Sequence, residues 1–156
     1  MKNGFIYVLI TSLLLSYNSM GNYENYAEKD RIEYLLNERI GIMNNFLYGV
    51  KGEEEMQYLN EELNRIEREQ LLENDLQILY KIIDNPTDYE LALSVKVDKI
   101  NELKETDEGL YLNANLSWLM RGYEGEFNMI KNYDIKCVEY ESNIYLATLN
   151  YIDNDI

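Results

Sequence analysis

The first half of the chain has the hydrophobic spacing of amphipathic helices. Over residues 28–50 the apolar side chains are three or four positions apart, so that they line one face of a helix. They are Ile32, Leu35, Leu36, Ile40, Met43, Phe46, Leu47 and Val50. Gly49 and Gly52 come at the end of this stripe, and glycine is common just after a helix C-terminus. The pattern predicts a helix that ends near residue 50.

A second helix is predicted directly afterwards, followed by a third. Glu53–Glu55 place negative charge at the N-terminus of the second helix, where the helix dipole favours it. Its apolar stripe is formed by Met56, Leu59, Leu63 and Ile66. The third helix, or a continuation of the second after a bend near Asn74, carries Leu72, Leu76, Leu79 and Ile83. Asn85–Asp88 ends it, because proline cannot extend a helix and restricts the residue before it.

After Asp88 the hydrophobic period changes from about 3.6 residues to about 2, which indicates strands. The side chains predicted to face inwards in the first strand are Tyr89, Leu91, Leu93, Val95 and Val97. A polar turn at Lys104–Gly109 precedes the clearest strand, Leu110–Arg121, whose apolar side chains occupy the even positions. Leu119 is the exception to this alternation.

Two further strands are predicted after the hairpin signal Gly122–Gly125. One face of the third strand carries Phe127, Met129, Tyr133, Ile135 and Cys137, with Lys131 as its misfit. Glu141–Asn143 predicts a turn into a fourth strand, Ile144–Ile152, whose inward phase the pattern leaves open. Residues 153–156 are predicted to form a disordered tail.

Helices followed by an antiparallel meander of four strands define an α+β fold. A sheet with one apolar face must cover that face, and the striped first helix is the available cover. Trp118 lies in the apolar row of the clearest strand and is therefore predicted to be part of the core.

This order of elements, with the long strand Leu110–Arg121, resembles the nuclear-transport-factor-two-like and cystatin-like folds. The resemblance extends over roughly residues 28–152 and implies helices lying in the hollow of a curved antiparallel sheet. It also implies two kinds of function, because the group includes small-molecule enzymes and non-enzymatic modules of bacterial secretion, conjugation and sporulation assemblies. The chain departs from the group in lacking a short extra hairpin before the long strands.

Length and composition favour one folded domain, predicted to span residues 28–152. The chain has 156 residues, of which 46% are hydrophobic and 28% charged. Its net charge of -15 argues against a nucleic-acid partner, because neutralising phosphates requires a basic face. It also disfavours adsorption to anionic lipid. A basic protein, a neutral glycan or a cation suits the charge better, although acidity that only keeps the domain soluble is the favoured explanation.

The N-terminus is predicted to be a secretory signal peptide or a membrane anchor, over residues 1–21. Lys2 and the apolar run Phe5–Leu15 are followed by the polar stretch Ser16–Asn22, which is the layout of a signal peptide. Ser19 and Gly21 are candidate small residues before a cleavage site. A retained anchor is the alternative, but the apolar run is shorter than the ~20 residues that a spanning helix needs. We therefore expect an extracytoplasmic protein, secreted or anchored at the outer face of a bacterial cytoplasmic membrane.

The residue types needed for most catalytic sites are missing from the sequence. The chain has no histidine, which excludes Ser-His-Asp and Cys-His sites and zinc sites containing histidine. Its one cysteine, Cys137, excludes thiolate clusters and is expected to be a buried small hydrophobe or an interchain thiol. No phosphate-binding glycine loop and no calcium loop is present. We expect no catalytic residue, no cofactor and no metal.

Two functions are consistent with these observations. The first is a non-catalytic envelope domain that binds another protein or its own copies through an exposed strand face bearing Tyr111, Asn113, Asn115 and Arg121. The second is a small-ligand binder or isomerase-like enzyme, with a pocket between helix and sheet. The polar lining of that pocket is predicted to include Asp98, Tyr111 or Asp134.

Overall fold

Three helices precede four strands in the computed structural model, which describes residues 27–47, 53–84 and 90–153. The helices are α1 (residues 27–47), α2 (Glu53–Leu63) and α3 (Glu69–Asp84). The strands are β1 (Leu91–Thr106), β2 (Gly109–Gly122), β3 (Gly125–Tyr140) and β4 (Asn143–Ile152). The predicted leader, Gly49 and Gly52, the break at residues 85–88, Tyr89 and the tail beyond Asp153 lie outside the described residues.

The four strands form one antiparallel sheet in the order β1-β2-β3-β4. Each strand pairs with its neighbour in sequence, so that the sheet is a simple meander with β1 and β4 at its edges. The sheet is curved and the helices pack on one side of it. The predicted α+β class, with N-terminal helices on a curved four-stranded antiparallel sheet, is confirmed.

The main hydrophobic core lies between α1 and one face of the sheet, which we call the inner face. The even positions of β2 point into it, and Trp118 is only 6% exposed. From α1 the core receives Ile32, Leu36 and Ile40, which belong to the predicted stripe. The prediction that α1 covers the apolar row of β2 is therefore confirmed. A smaller core joins the C-terminal part of α1 to α2 and α3 and includes Phe46, Met56, Leu59, Leu63, Leu79 and Ile82.

The first strand is longer than predicted and does not alternate regularly. β1 continues through residues 104–106, and the turn before β2 consists only of Asp107 and Glu108. Its register against β2 shifts three times, between Ala92 and Ser94, between Val97 and Lys99, and between Ile100 and Glu102. Each bulge inserts one residue and reverses the phase of the side chains after it. As a result Val95 and Val97 are buried as predicted, but Ala92, Ile100 and Leu103 also pack against the core, so that the predicted alternation holds only in part.

Bulging also explains why the inward phase of β4 could not be predicted. Lys136 pairs with Thr148, whereas Cys137 pairs with Leu146, so that Ala147 is the extra residue. Tyr145, Leu146 and Ala147 are consecutive and all buried. Tyr145 is covered by Arg68, whose guanidinium carbon lies 3.8 Å from the ring centroid.

The boundary between α2 and α3 differs from the prediction. α2 ends at Leu63, and α3 continues without a bend through Asn74. The chain breaks at residues 64–68 because this segment pairs with β4. The amide of Arg68 donates to the Leu146 carbonyl and the Leu146 amide donates to the Ile66 carbonyl, both at 2.8 Å. This long-range pairing has no local signal in the sequence.

Both edge strands are capped by the helical half of the chain. At the β1 edge, Asn37 of α1 donates from Nδ2 to the Val95 carbonyl at 2.8 Å and accepts from the Val95 amide at 3.0 Å. Glu33 accepts from the Val97 amide at 2.9 Å, and Asn44 donates to the Ala92 carbonyl at 2.7 Å. At the β4 edge, the segment 66–68 makes the bridge to Leu146. Backbone groups that an edge strand leaves unpaired are thus satisfied along part of each edge.

None of the helices in the described ranges is long and apolar enough to cross a membrane.

Candidate functional site

The four residues predicted to form a partner-binding face lie together on the outer face of the sheet, opposite the helices. Tyr111, Asn113, Asn115 and Arg121 occupy odd positions of β2, while the even positions are buried. Antiparallel pairing places β1 and β3 side chains beside them on the same face. The structure thus places these four residues on one face of β2, and their role in binding a partner stays a prediction.

A ladder of amide side chains organises the centre of the outer face. Asn101 of β1 donates from Nδ2 to Oδ1 of Asn113 at 2.9 Å and to Oδ1 of Asn115 at 3.2 Å. Asn113 donates in turn to Oδ1 of Asp134 on β3, at 2.8 Å. These bonds connect three strands and restrain the rotamers of the amides. A partner that binds here meets a preorganised polar surface, which lowers the entropy cost of binding.

Charged groups hold the residues at the two ends of the β2 row. Tyr111 donates to Oε2 of Glu108 at 3.0 Å, and this bond is the main reason why the pKa of Tyr111 is raised. Lys136 lies 5.8 Å from the centre of the Tyr111 ring and binds Oε2 of Glu69 at 3.1 Å. At the other end, Arg121 binds Oε1 of Glu126 at 2.7 Å. The predicted residues thus have partners within the domain.

The outer face differs in charge from the rest of the chain. The strand register places basic side chains on it from three strands, namely Lys96, Lys99, Lys104, Arg121 and Lys136. The acidic side chains in register with them are Glu102, Glu126 and Asp134. By contrast α2 carries no basic residue at all. Glu108 and Glu69, which bind Tyr111 and Lys136, add two more acidic groups, so that the two signs are about equal on the outer face of a chain of net charge -15.

The alternative site, a pocket between helix and sheet, does not contain the residues predicted for it. Tyr111 and Asp134 are on the outer face, with Tyr111 in register with Lys136 and Asp134 in register with Asn113. Asp98 is exposed at the second bulge of β1. The bulges shift the β1 phase, and β2 directs its odd positions away from the helices. The predicted polar lining is therefore wrong.

A buried ion cluster that the sequence analysis missed joins α1 to α3. Arg39 of α1 donates to both oxygens of Asp75 on α3, from Nε at 2.6 Å and from Nη2 at 2.7 Å. Glu67, from the segment between α2 and α3, has Oε1 3.1 Å from Arg39 Nε. The guanidinium is aimed at Asp75, and neither Glu67 oxygen has a well-aligned hydrogen-bond partner among the described residues. Asp75 falls on the apolar stripe formed by Leu72, Leu76 and Leu79. A carboxylate at such a position was the sign in the sequence that a buried ion pair is present.

The cluster changes the ionisation of its members. The pKa of Glu67 is raised to about 9, first by burial and then by the nearby Asp75 charge, while Arg39 acts in the opposite direction. Burial alone lowers the pKa of Arg39, but the charges and hydrogen bonds of Asp75 and Glu67 outweigh burial and raise it. The raised pKa of Glu67 favours its protonated form at neutral pH, beside the Arg39–Asp75 salt bridge. The bonds that join α1 to α3 are those between Arg39 and Asp75.

Cys137 lies at the base of a small acidic hollow beside the β1–β2 turn. Glu28, Glu105, Asp107, Glu108 and Glu139 line the hollow. The cysteine itself is fully buried, as predicted, and burial raises the pKa of its thiol to about 12. The thiol is therefore protonated and unreactive in the folded protein. Within residues 27–47, 53–84 and 90–153, no group of three or more acidic or cysteine side chains is placed to hold a metal ion.

The comparisons with known proteins leave the family open. No protein-family model matches the chain, and no curated protein matches it. Among solved structures, it is similar to the crystal structure of the intermembrane space region of the chloroplast protein ARC6. The alignment covers 81% of this chain and 97% of that chain, with a TM-score of 0.45 and 9% sequence identity.

Proposed function

We propose that this chain is a non-catalytic, exported or membrane-tethered domain that binds another protein, or a second copy of itself, through the outer face of the sheet. The observation that carries the proposal is the surface formed by Tyr111, Asn113, Asn115 and Arg121. Its amides are preorganised across three strands, and the described helices pack on the opposite side of the sheet. The element order, which resembles secretion and sporulation modules, supports the same function.

Several features support a binding role rather than catalysis. The chain has no histidine, and its single thiol has a pKa near 12. The residues expected to line a catalytic pocket lie on the outer face or at a bulge. The buried Glu67 carboxyl does not line the acidic hollow beside the β1–β2 turn. Binding through the outer face requires no catalytic group, only the side chains that β1, β2 and β3 place on that face.

Site-specific photocrosslinking in cells that produce the chain tests the binding face. A photoreactive amino acid at Asn115 is expected to give a defined adduct, whereas one at Gln77, an exposed polar position on α3, gives none. Adding Asn113→Arg, which removes the amide ladder and adds a bulky charge, should abolish the Asn115 adduct. Equal adducts at Asn115 and Gln77, or no adduct at Asn115, would contradict the proposal.

Export is tested separately by fractionating cells that express the full chain and sequencing the N-terminus of the mature protein. We expect an extracytoplasmic protein that begins at Asn22, or a membrane-bound protein that still begins at Met1. A full-length chain in the cytosolic fraction would contradict the proposed location.

A further inference from the structure

A second surface suited to binding lies on the helical side of the molecule, between α1 and α2. The floor of this α1–α2 groove is formed by the apolar residues Ile42, Phe46 and Leu59. Its rim carries Glu55, Tyr58 and Glu62 from successive turns of α2. Ile42 and Glu62 also line a neighbouring groove that continues along α1 past Glu38, Leu35 and Tyr34. The two hollows therefore form one continuous groove beside α1.

The length of the groove fits a helix rather than a metabolite. The lining positions of α1 run from residue 31 to residue 46, which corresponds to about 22 Å at a rise of ~1.5 Å per residue. The hollow between α1 and α2 has a volume of about 220 Å³ and its continuation about 290 Å³, so that the space is spread along α1 rather than gathered in one pocket. A shallow trough between two helices is the shape into which a third helix packs.

The rim of the groove indicates the chemistry of its occupant. Tyr34 is 60% exposed and Tyr58 is 64% exposed, and exposed tyrosines are common anchors in protein interfaces. The acidic rim residues Glu38, Glu55 and Glu62 stand on a chain of net charge -15, whose field attracts basic partners. Two arginines, Arg31 and Arg65, also line the continuation of the groove, and Arg65 Nη1 lies 3.0 Å from Glu62 Oε2. Glu38 and Glu55 are therefore the acidic rim groups that a basic partner would meet.

We infer that the α1–α2 groove binds an amphipathic helix of a partner protein, with an apolar face for the floor and lysines or arginines for the glutamate rim. This inference names a second surface and does not depend on the outer face of the sheet. The apolar side chains of the helix would contact Ile42, Phe46 and Leu59. Its basic side chains would pair with Glu38 and Glu55.

The test uses a fluorescent 14-residue synthetic peptide of leucine and lysine, with the leucines three and four positions apart, and the full-length chain. We expect measurable binding by fluorescence anisotropy. A scrambled peptide of the same composition, which has the same charge but no apolar face, should bind about tenfold more weakly. Truncating an exposed interface tyrosine by Tyr58→Ser, or reversing charge by Glu55→Lys, should each weaken binding by roughly tenfold.

Matched controls are available on α3, which is remote from the groove lining. Tyr80 is 56% exposed and Glu73 is exposed, so that Tyr80→Ser and Glu73→Lys repeat both changes at other positions. Both variants should bind the peptide within about twofold of the parent, a change of well under 1 kcal/mol. Asn115→Arg should also bind normally, which separates this inference from the proposed outer-face function.

A direct readout keeps the test valid if a variant fails to fold. In methyl NMR spectra of the parent chain, the peptide should shift the Ile42 methyl signals and leave those of Ile78, on α3, unchanged. Equal binding of the scrambled peptide would mean that general charge attraction explains the binding. Equal weakening by Tyr80→Ser would mean that the effect is not specific to the groove. Either result would overturn the inference. Peptide binding that occurs only after residues 1–21 are removed would assign the groove to the leader, which would also overturn it.

Discussion

The buried Glu67 carboxyl predicts an unusual dependence of stability on pH. Its pKa in the folded protein is about 9, compared with 4.5 for a free glutamate. Between these two values the unfolded chain releases the proton while the folded chain keeps it. A group whose folded pKa is raised stabilises the fold fully below the unfolded pKa, and this stability is lost as pH rises towards the folded pKa. The free energy of unfolding should therefore fall from about pH 5 to pH 9.

The magnitude follows from linkage and does not require the exact folded pKa. Each pH unit inside the window costs about 1.4 kcal/mol, so that raising the pH from 5.5 to 7.5 should lower the free energy of unfolding by roughly 2–3 kcal/mol. The chain contains no histidine, which is the side chain that ordinarily titrates in this range. Glu67 is thus expected to dominate the change in the free energy of unfolding with pH.

The perturbation is Glu67→Gln, which keeps the shape of the side chain and removes its titration. The variant should show little change between pH 5.5 and 7.5 and should be more stable than the parent at pH 7.5. Urea unfolding followed by the fluorescence of Trp118, the single tryptophan, measures both. Glu73→Gln, at an exposed α3 position, is the matched control and should keep the parental slope. A parent chain whose stability is flat or rises over this range would refute the reasoning, as would equal slopes for the parent and Glu67→Gln.

Three further predictions concern the core, the β1 edge and the thiol. Trp118→Ala should destabilise the fold by about 3–5 kcal/mol in urea unfolding, because it leaves a cavity in the main core; a parental midpoint would mean that the inner face is misassigned. Asn37→Ala should lower the free energy of unfolding by roughly 1–3 kcal/mol, since both backbone groups of Val95 lose their partner. Hydrogen exchange should then show faster exchange of the Val95 amide. Cys137 should resist a thiol reagent in native buffer and react in urea; fast labelling without urea would contradict its burial.

The elements of the fold could be predicted because local patterns specify them. The alternation in β2 identified its core face and the position of Trp118, and the spacing in α1 identified its covering stripe. Both patterns persist over many residues, so that one irregular position, such as Leu119, does not obscure them. The outer-face residues of β2 followed directly from the same alternation.

The features that were missed depend on contacts between distant segments. The bulges of β1 change which of its side chains face the core. They can be recognised only when β1 is paired with β2. The end of α2 depends on pairing between residues 66–68 and Leu146. The ion cluster requires Arg39, Glu67 and Asp75 to meet from three parts of the chain, and only Asp75, in an apolar stripe, gave any local sign of it.

Capping of the β1 edge by Asn37 has a consequence for how the chain is made. A ribosome synthesises α1 before β1, so the amide that satisfies Val95 is already available when that strand emerges. Newly made copies are thereby less exposed to strand exchange with one another. A protease that removed α1 would leave this edge uncovered, and the remaining sheet would be prone to grow into fibrils by adding strands from other copies.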